Sequence, residues 1–292
     1  MLNGTPWPCD HDGIARPEYH GPGGDVYRRV NRRFAEAAAA QAAPGATVWV
    51  HDYQLQLVPV MLRELRPDVR IGFFNHIPFP PLEIFSQLPW RRQVVEGLLG
   101  ADLIGFQRAG DASNFVRAVR RLLGATTRGS IITLTTGHGR VSRHVRAAAF
   151  PISIDASSFD ALARTPAVQS RAREIRHELG DPQVVLLGVD RLDYTKGIRH
   201  RLKAYGELLA EGRLTVPECT LVQVASPSRQ NVGAYQTLRD DVETTVGRIN
   251  GAVGALGQTA TPYMPPTYPR DELAARALAA AVSAHTAATD GV

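Results

Sequence analysis

Seven consecutive residues, Arg191-Leu-Asp-Tyr-Thr-Lys-Gly197, place a guanidinium and an ammonium a few residues apart. Such a pair suits a phosphate or pyrophosphate, because both cations donate charge-assisted hydrogen bonds and a helix start beside them adds free backbone amides. The segment follows the apolar run Val184-Val-Leu-Leu-Gly-Val189 and precedes a helical pattern starting near Ile198. A short valine-rich run closed by polar residues reads as a buried parallel strand. Arg191 and Lys196 are therefore expected in the loop at that strand's carboxyl end, where open α/β sheets bind their ligands. Lys196 and Lys203 are the only lysines in a chain that otherwise uses arginine for its positive charge. The plain alternative is a pair of solvated loop cations.

Three more loops follow strand-like runs and carry polar groups. His51-Asp52-Tyr53-Gln54 follows Thr47–Val50, and its carboxylate could accept hydrogen bonds from sugar hydroxyls. Asp52 could equally be the N-cap of a helix beginning near Gln54. Asn75-His76-Ile77-Pro78-Phe79-Pro80-Pro81 is a stiff, proline-rich loop that would hold His76 in place, whether as a site residue or as a satisfied core histidine. Ser226-Pro227-Ser228-Arg229 offers hydroxyls and an arginine, a second phosphate seat or an ordinary serine cap with a surface arginine. Together these loops describe one carboxylate and two separate cationic seats, which suits a reaction between two anionic substrates.

The elements that must carry these loops alternate. Helical periodicity covers Val26–Gln41, Leu55–Leu65, roughly Leu82–Leu99, Asp111–Leu123, Ser157–Ala163, Ala167–Leu179, Ile198–Ala210 and Val232–Gly251. Strand patterns cover Thr47–Val50, Val69–Asn75, Asp102–Phe106, two short pieces within 126–145, Ala147–Ile154, Val184–Val189 and Thr220–Ala225. Repeated strand–helix alternation predicts an α/β fold with doubly wound parallel sheets. The alternation restarts near Ile154–Ser158, which predicts two domains, 1–154 and 155–292, with a cleft between them.

The bulk composition narrows the function. The chain has 292 residues, 44% of them hydrophobic and 21% charged, as in an ordinary globular protein. Its formal charge of +5 is scattered and has no aromatic residues interleaved, which argues against nucleic acid and for small anions. The two cysteines, Cys9 and Cys219, form no Cys-x-x-Cys pair, and no secretory leader or membrane-length apolar run is visible, so a cytoplasmic setting is expected. Walker, Gly-x-Gly-x-x-Gly, His-Glu-x-x-His and Gly-x-Ser-x-Gly motifs are all missing, which weakens kinase, dehydrogenase, zinc-protease and hydrolase readings.

Five strings carry a specific resemblance: Val48-Trp-Val-His-Asp-Tyr-Gln-Leu55, Ile71-Gly-Phe-Phe-Asn-His-Ile-Pro-Phe-Pro80, Gly188-Val-Asp-Arg-Leu-Asp-Tyr-Thr-Lys-Gly197, Ser226-Pro-Ser-Arg229 and Gly247-Arg-Ile-Asn-Gly251. Through them the chain resembles the trehalose-6-phosphate synthase family of retaining glycosyltransferases from about Asn3 to Leu273. The resemblance implies a GT-B fold of two Rossmann-like domains, an acceptor-side domain first and a donor-side domain second. It implies glucose transfer from UDP-glucose, a co-substrate, to glucose 6-phosphate, with no cofactor and no catalytic metal. On this resemblance Asp52 would bind acceptor hydroxyls, His76 would line the sugar site, Arg191 and Lys196 would grip the UDP pyrophosphate, Arg229 would hold the phosphate of glucose 6-phosphate, and Trp7 would be the acceptor-side tryptophan.

The ends depart from the family pattern. Residues 1–20 show neither the opening strand nor the glycine-rich donor loop, and the sequence after Pro269-Arg-Asp-Glu-Leu273 lacks the donor-sugar and ribose loop. Both domains are therefore expected to be incomplete in a truncated or frame-disrupted copy, with sheet edges exposed and, in consequence, either reduced stability or association, with itself or with a complete synthase. The competing expectation is a catalytically inactive homologue that binds sugar phosphate or nucleotide, or a relic without function.

Overall fold

The computed structural model describes residues 23–135, 140–228, 231–253, 259–264, 267–284 and 286. These fall into two compact units that part between Ser153 and Ile154.

The first unit opens with helix α1 (Gly23–Gln41), whose alanine-rich second half favours helix and whose inner face buries Asn31 and Ala35. Strand β1 (Thr47–His51) follows, then a 3-10 turn (Tyr53–Leu55) and helix α2 (Val58–Leu65). The single helix expected from Leu55 thus begins three residues later, with Pro59 in its first turn, where a missing amide costs nothing. Strand β2 (Arg70–Asn75) leads through the proline loop to α3 (Leu82–Phe85) and α4 (Arg91–Leu98). The helical patterns expected over roughly Leu82–Leu99 are thus two helices, parted around Pro89, which cannot donate into a helix and restricts the residue before it. Strand β3 (Leu103–Phe106) and helix α5 (Ala109–Leu123) complete the alternation.

The chain then makes a hairpin, β4 (Thr126–Arg128) and β5 (Ile131–Thr135), and returns as β6 (Val141–Ala149). Residues expected to belong to two separate strands form this one strand. It pairs antiparallel with β5 and parallel with β3, and it stops before Pro151. The sheet order is β1-β2-β3-β6-β5-β4. Its first four strands are parallel, and the antiparallel hairpin closes one edge of an otherwise parallel sheet.

The second unit contains α6 (Ala156–Ala163), α7 (Pro166–Glu178), β7 (Val184–Arg191), a 3-10 turn (Tyr194–Lys196), α8 (Ile198–Ala210), β8 (Cys219–Ser226), α9 (Gly233–Ala252), β9 (Tyr263–Met264), α10 (Arg270–Ala279) and β10 (Val282–Ser283). Its sheet, in the order β10-β7-β8-β9, is parallel throughout. Side chains alternate along each strand. Leu221 and Ala225 therefore face a core with Leu202 and Val242 of α8 and α9. Val185, Leu187, Val222 and Val224 face the opposite side, where Leu179, Tyr268 and Ala280 pack on them. Helices on both faces explain the near-continuous burial of β8. Among the described residues no helix is long and apolar enough to cross a membrane.

Candidate functional site

Because β1 and β2 are parallel, with His51 opposite Phe74, the loops that follow them emerge at the same sheet edge. This brings Asp52 and His76 together. The His76 backbone N–H donates to Asp52 Oδ1 at 3.2 Å, and the Asp52 N–H donates to the Phe74 carbonyl at 2.8 Å. Asp52 does not cap the turn that follows, as one sequence expectation had it: its carboxylate makes no cap hydrogen bond. It sits instead at φ 69° and ψ 169°, in a region populated almost only by glycine. A non-glycine residue held there signals a constraint imposed by its surroundings.

Those surroundings come largely from α1. Tyr27 donates its hydroxyl to the Tyr53 carbonyl at 2.6 Å and accepts the Gln56 N–H at 3.1 Å. Burial pushes the Tyr27 phenol well above its ordinary range, so the hydroxyl keeps its proton to donate. Asn31, fully buried, donates to the Gln54 carbonyl at 3.0 Å and accepts the Leu57 N–H at 3.0 Å. Two side chains of one helix face thus fix the backbone from Tyr53 to Leu57 and, with it, the conformation of Asp52.

The His76 loop is anchored from the core. Phe79 is 1% exposed and packs against Phe85, Phe106 and Phe115 with ring centroids 4.9, 5.9 and 5.3 Å away. Its carbonyl accepts from Asn114 Nδ2 at 3.0 Å, and its amide bonds the buried Asp111 carboxyl. Burial raises the Asp111 carboxyl above the ordinary range. Asn75, also fully buried, donates to the Ile77 carbonyl at 2.6 Å.

Two site neighbours, Trp49 and His51, fell within strings quoted from the sequence but were given no role there. His51 Nδ1 lies 3.0 Å from His76 Nε2, so one ring donates and the other accepts. Trp49, His51 and His76 form a row of stacked rings, with centroids 5.2 and 5.3 Å apart, and Trp49 is 66% exposed. The signal was the two-residue spacing of Trp49 and His51, which puts both on one face of a strand.

In the second unit β7 runs two residues beyond the expected strand, because Asp190 and Arg191 pair with Ala225 and Ser226 of β8. Arg191 is therefore the last strand residue, exposed at the carboxyl edge, and not a loop residue. Lys196 closes the following 3-10 turn, directly before α8. Asp193 Oδ1 caps that turn through the Thr195 amide and hydroxyl at 3.0 and 2.9 Å, while Asp193 Oδ2 accepts from the Tyr235 hydroxyl at 3.1 Å. Gly197, at φ 62°, takes the left-handed conformation as the N-cap between the lysine and the first residue of α8, Ile198. Arg191, Lys196 and the amino end of a 13-residue helix thus share one sheet edge, an arrangement that favours anions.

Ser226 ends β8, and Ser228 just beyond it lines a cavity of about 40 Å³ together with Leu192, Tyr235 and Tyr263. Trp7 and Arg229 lie outside the described residues. A larger cavity, about 610 Å³, runs between α8 and α9 and includes none of the residues singled out from the sequence as site residues. Among the described residues no group of three or more His, Cys, Asp or Glu is placed to hold a metal ion.

The profile of glycosyltransferase family 20 matches residues 3–292. A trehalose-6-phosphate synthase of Mycolicibacterium paratuberculosis is 56% identical over 293 residues, which cover 99% of this chain and 60% of that protein. The solved α,α-trehalose-phosphate synthase (UDP-forming) of Burkholderia xenovorans, in complex with glucose-6-phosphate, superposes with a TM-score of 0.82 at 32% identity, over 94% of this chain and 60% of that one. An E. coli structure described as trehalose-6-phosphate bound with UDP-2-fluoro glucose superposes with a TM-score of 0.80 at 32% identity, again over 94% and 60%. The chain thus spans about 60% of the length of these relatives.

Proposed function

The chain belongs to glycosyltransferase family 20, and from that premise we propose that it serves glucose transfer from UDP-glucose to glucose 6-phosphate, giving trehalose 6-phosphate and UDP. The near-full-length match of this chain to trehalose-6-phosphate synthases carries the reading. The α/β architecture is of the GT-B type, which fits it. The first unit takes the acceptor and the second the donor.

Asp52 binds hydroxyls of the acceptor sugar, with its backbone already fixed by Tyr27 and Asn31. His76 lines the sugar site, oriented by its contact with His51. In the second unit Arg191 and Lys196 grip the pyrophosphate. As the bond from the anomeric carbon to the β-phosphate oxygen breaks, negative charge collects on UDP, and two fixed cations at a helix amino end stabilise that charge. They do the work a metal does in other transferases, so the reaction runs without one. Arg229 holds the phosphate of glucose 6-phosphate, and Trp7 flanks the acceptor. The partners are these two small anions, and the compartment is the cytoplasm.

UDP titration into the purified chain, followed by assay of UDP release from UDP-glucose with and without glucose 6-phosphate, tests the reading. Each cation makes charge-assisted hydrogen bonds, so Lys196→Ala and Arg191→Ala should each weaken UDP binding about 10- to 100-fold. Release should depend on glucose 6-phosphate and disappear in Asp52→Ala. A folded chain that binds no UDP overturns the proposal.

A further inference from the structure

Behind the Lys196 turn lies a polar chain that the proposed chemistry leaves unused. Arg201, in the first turns of α8, is 5% exposed. Its Nη1 donates to Asp190 Oδ2 and to Gln223 Oε1, each at 2.8 Å. Its Nη2 donates to Thr286 Oγ1 at 3.0 Å. Thr286 Oγ1 in turn lies 3.0 Å from the carbonyl oxygens of both Lys196 and Gly197. Gln223 is itself held, donating to the Val224 carbonyl at 2.9 Å.

Two glycines of the sequence motif make room for this chain. A Cβ on Gly188 would overlap Arg201 Nη1 and Gln223 Oε1, so only glycine admits the guanidinium beside β7. A Cβ on Gly197 would overlap the Thr286 carbonyl oxygen, so only glycine lets Thr286 lie against the turn.

A buried ion pair is a poor device for stability, since desolvation cancels most of the attraction. This pair does something that an apolar side chain could not. Because Arg201 donates to Thr286 Oγ1, the oxygen's lone pairs are turned toward the guanidinium. The hydroxyl proton is then directed away, toward the carbonyls of Lys196 and Gly197.

We propose that Arg201 and Thr286 are positioning residues for the anion-binding turn: the Asp190–Arg201 pair orients the Thr286 hydroxyl, and that hydroxyl fixes the backbone from which Lys196 and the first amides of α8 are aimed. The inference rests on the assignment of Lys196 to the pyrophosphate. It adds Thr286 to the working parts of the site, although Thr286 touches no substrate in the proposed reaction.

Thr286→Val tests it, because Thr286 is exposed and the change removes its hydroxyl, the acceptor for Arg201 Nη2 and the group facing the turn carbonyls, at nearly constant volume. Two readouts are needed: UDP affinity by calorimetry, and amide hydrogen exchange at residues 196–198 without nucleotide. The expected result is a UDP affinity about 5- to 30-fold weaker, with faster exchange at those amides, and recovery of both in Thr286→Ser. Wild-type affinity and wild-type exchange in Thr286→Val overturn the brace. If Lys196→Ala loses UDP while Thr286→Val keeps it, the brace alone falls and the proposed function stands. If the wild-type chain binds no UDP, both fall.

Discussion

Asp52 offers a direct test of whether the site stores backbone strain. Its φ of 69° and ψ of 169° lie in the glycine-only region, which costs a side-chain-bearing residue about 1–3 kcal/mol. Asp52→Gly and Asp52→Ala both remove the carboxylate and its hydrogen bond from the His76 amide, so that loss cancels between them. Alanine keeps the strain. Glycine relieves it but gives back roughly 0.5–1 kcal/mol in chain entropy. The glycine variant should therefore be the more stable of the two by about 1 kcal/mol, within a span of roughly 0–2.5 kcal/mol, or about 2–4 °C in Tm at that central value for a unit of this size. Urea and thermal unfolding followed by tryptophan fluorescence read the first unit selectively, because no tryptophan follows Trp90 in the chain. An alanine variant as stable as the glycine variant would refute the argument, since the Asp52 backbone would then carry no strain that glycine relieves.

Two further outcomes follow from the first unit. The Asp68 carboxyl is held well below the usual carboxylate range, first by its hydrogen bonds from Arg66 and then by the Gly45 amide. A depressed folded value means that this stabilisation is present above the unfolded pKa and lost as pH falls below about 4. Between about pH 6 and pH 3 the Tm of Asp68→Asn should thus fall less steeply than that of the wild type, and equal slopes would contradict the assignment. Phe115 is fully buried against Phe79 and Phe106, so Phe115→Ala should cost about 3–5 kcal/mol in urea unfolding. A loss under about 1 kcal/mol would show that the aromatic cluster does not hold the loop as packed.

Much of the fold was legible because hydrophobic periodicity is local. The runs around Thr47, Arg70, Leu103, Val184 and Cys219 read as strands without knowledge of their partners. What periodicity could not see was pairing. Val141–Ala149 is one strand because β5 and β3 both hydrogen-bond to it, a fact stored in other parts of the chain. The two-residue strands β9 and β10 are too short to show any period, and they exist only through β8 and β7. Arg191 joined its strand for the same reason, by pairing with Ser226. The meeting of Asp52 with His76 followed from two parallel strands ending at one edge. The unusual backbone of Asp52 had no signal at all, because the residue that takes positive φ there is not a glycine and the side chains that impose it, Tyr27 and Asn31, lie 25 and 21 residues before it.

The two units solve one mechanical problem in different ways, and the difference follows from side-chain length. In the proposed reaction each must hold a charged group still beyond the end of a parallel strand, because a site that reorganises during the reaction loses the benefit of its charges. Lysine reaches far from its backbone. The second unit can therefore give the positive φ to the neighbouring glycine, leave Lys196 in an unstrained turn, and steady that turn through Asp193, Tyr235 and Thr286. Aspartate is short, so its carboxylate goes only where its own backbone takes it. The first unit accordingly places Asp52 itself in the strained conformation and holds it there with Tyr27, Asn31 and the His76 amide. On this argument, a positive φ on a carboxylate marks the group whose position matters most, and a positive φ on the glycine beside a lysine marks only the turn that carries it.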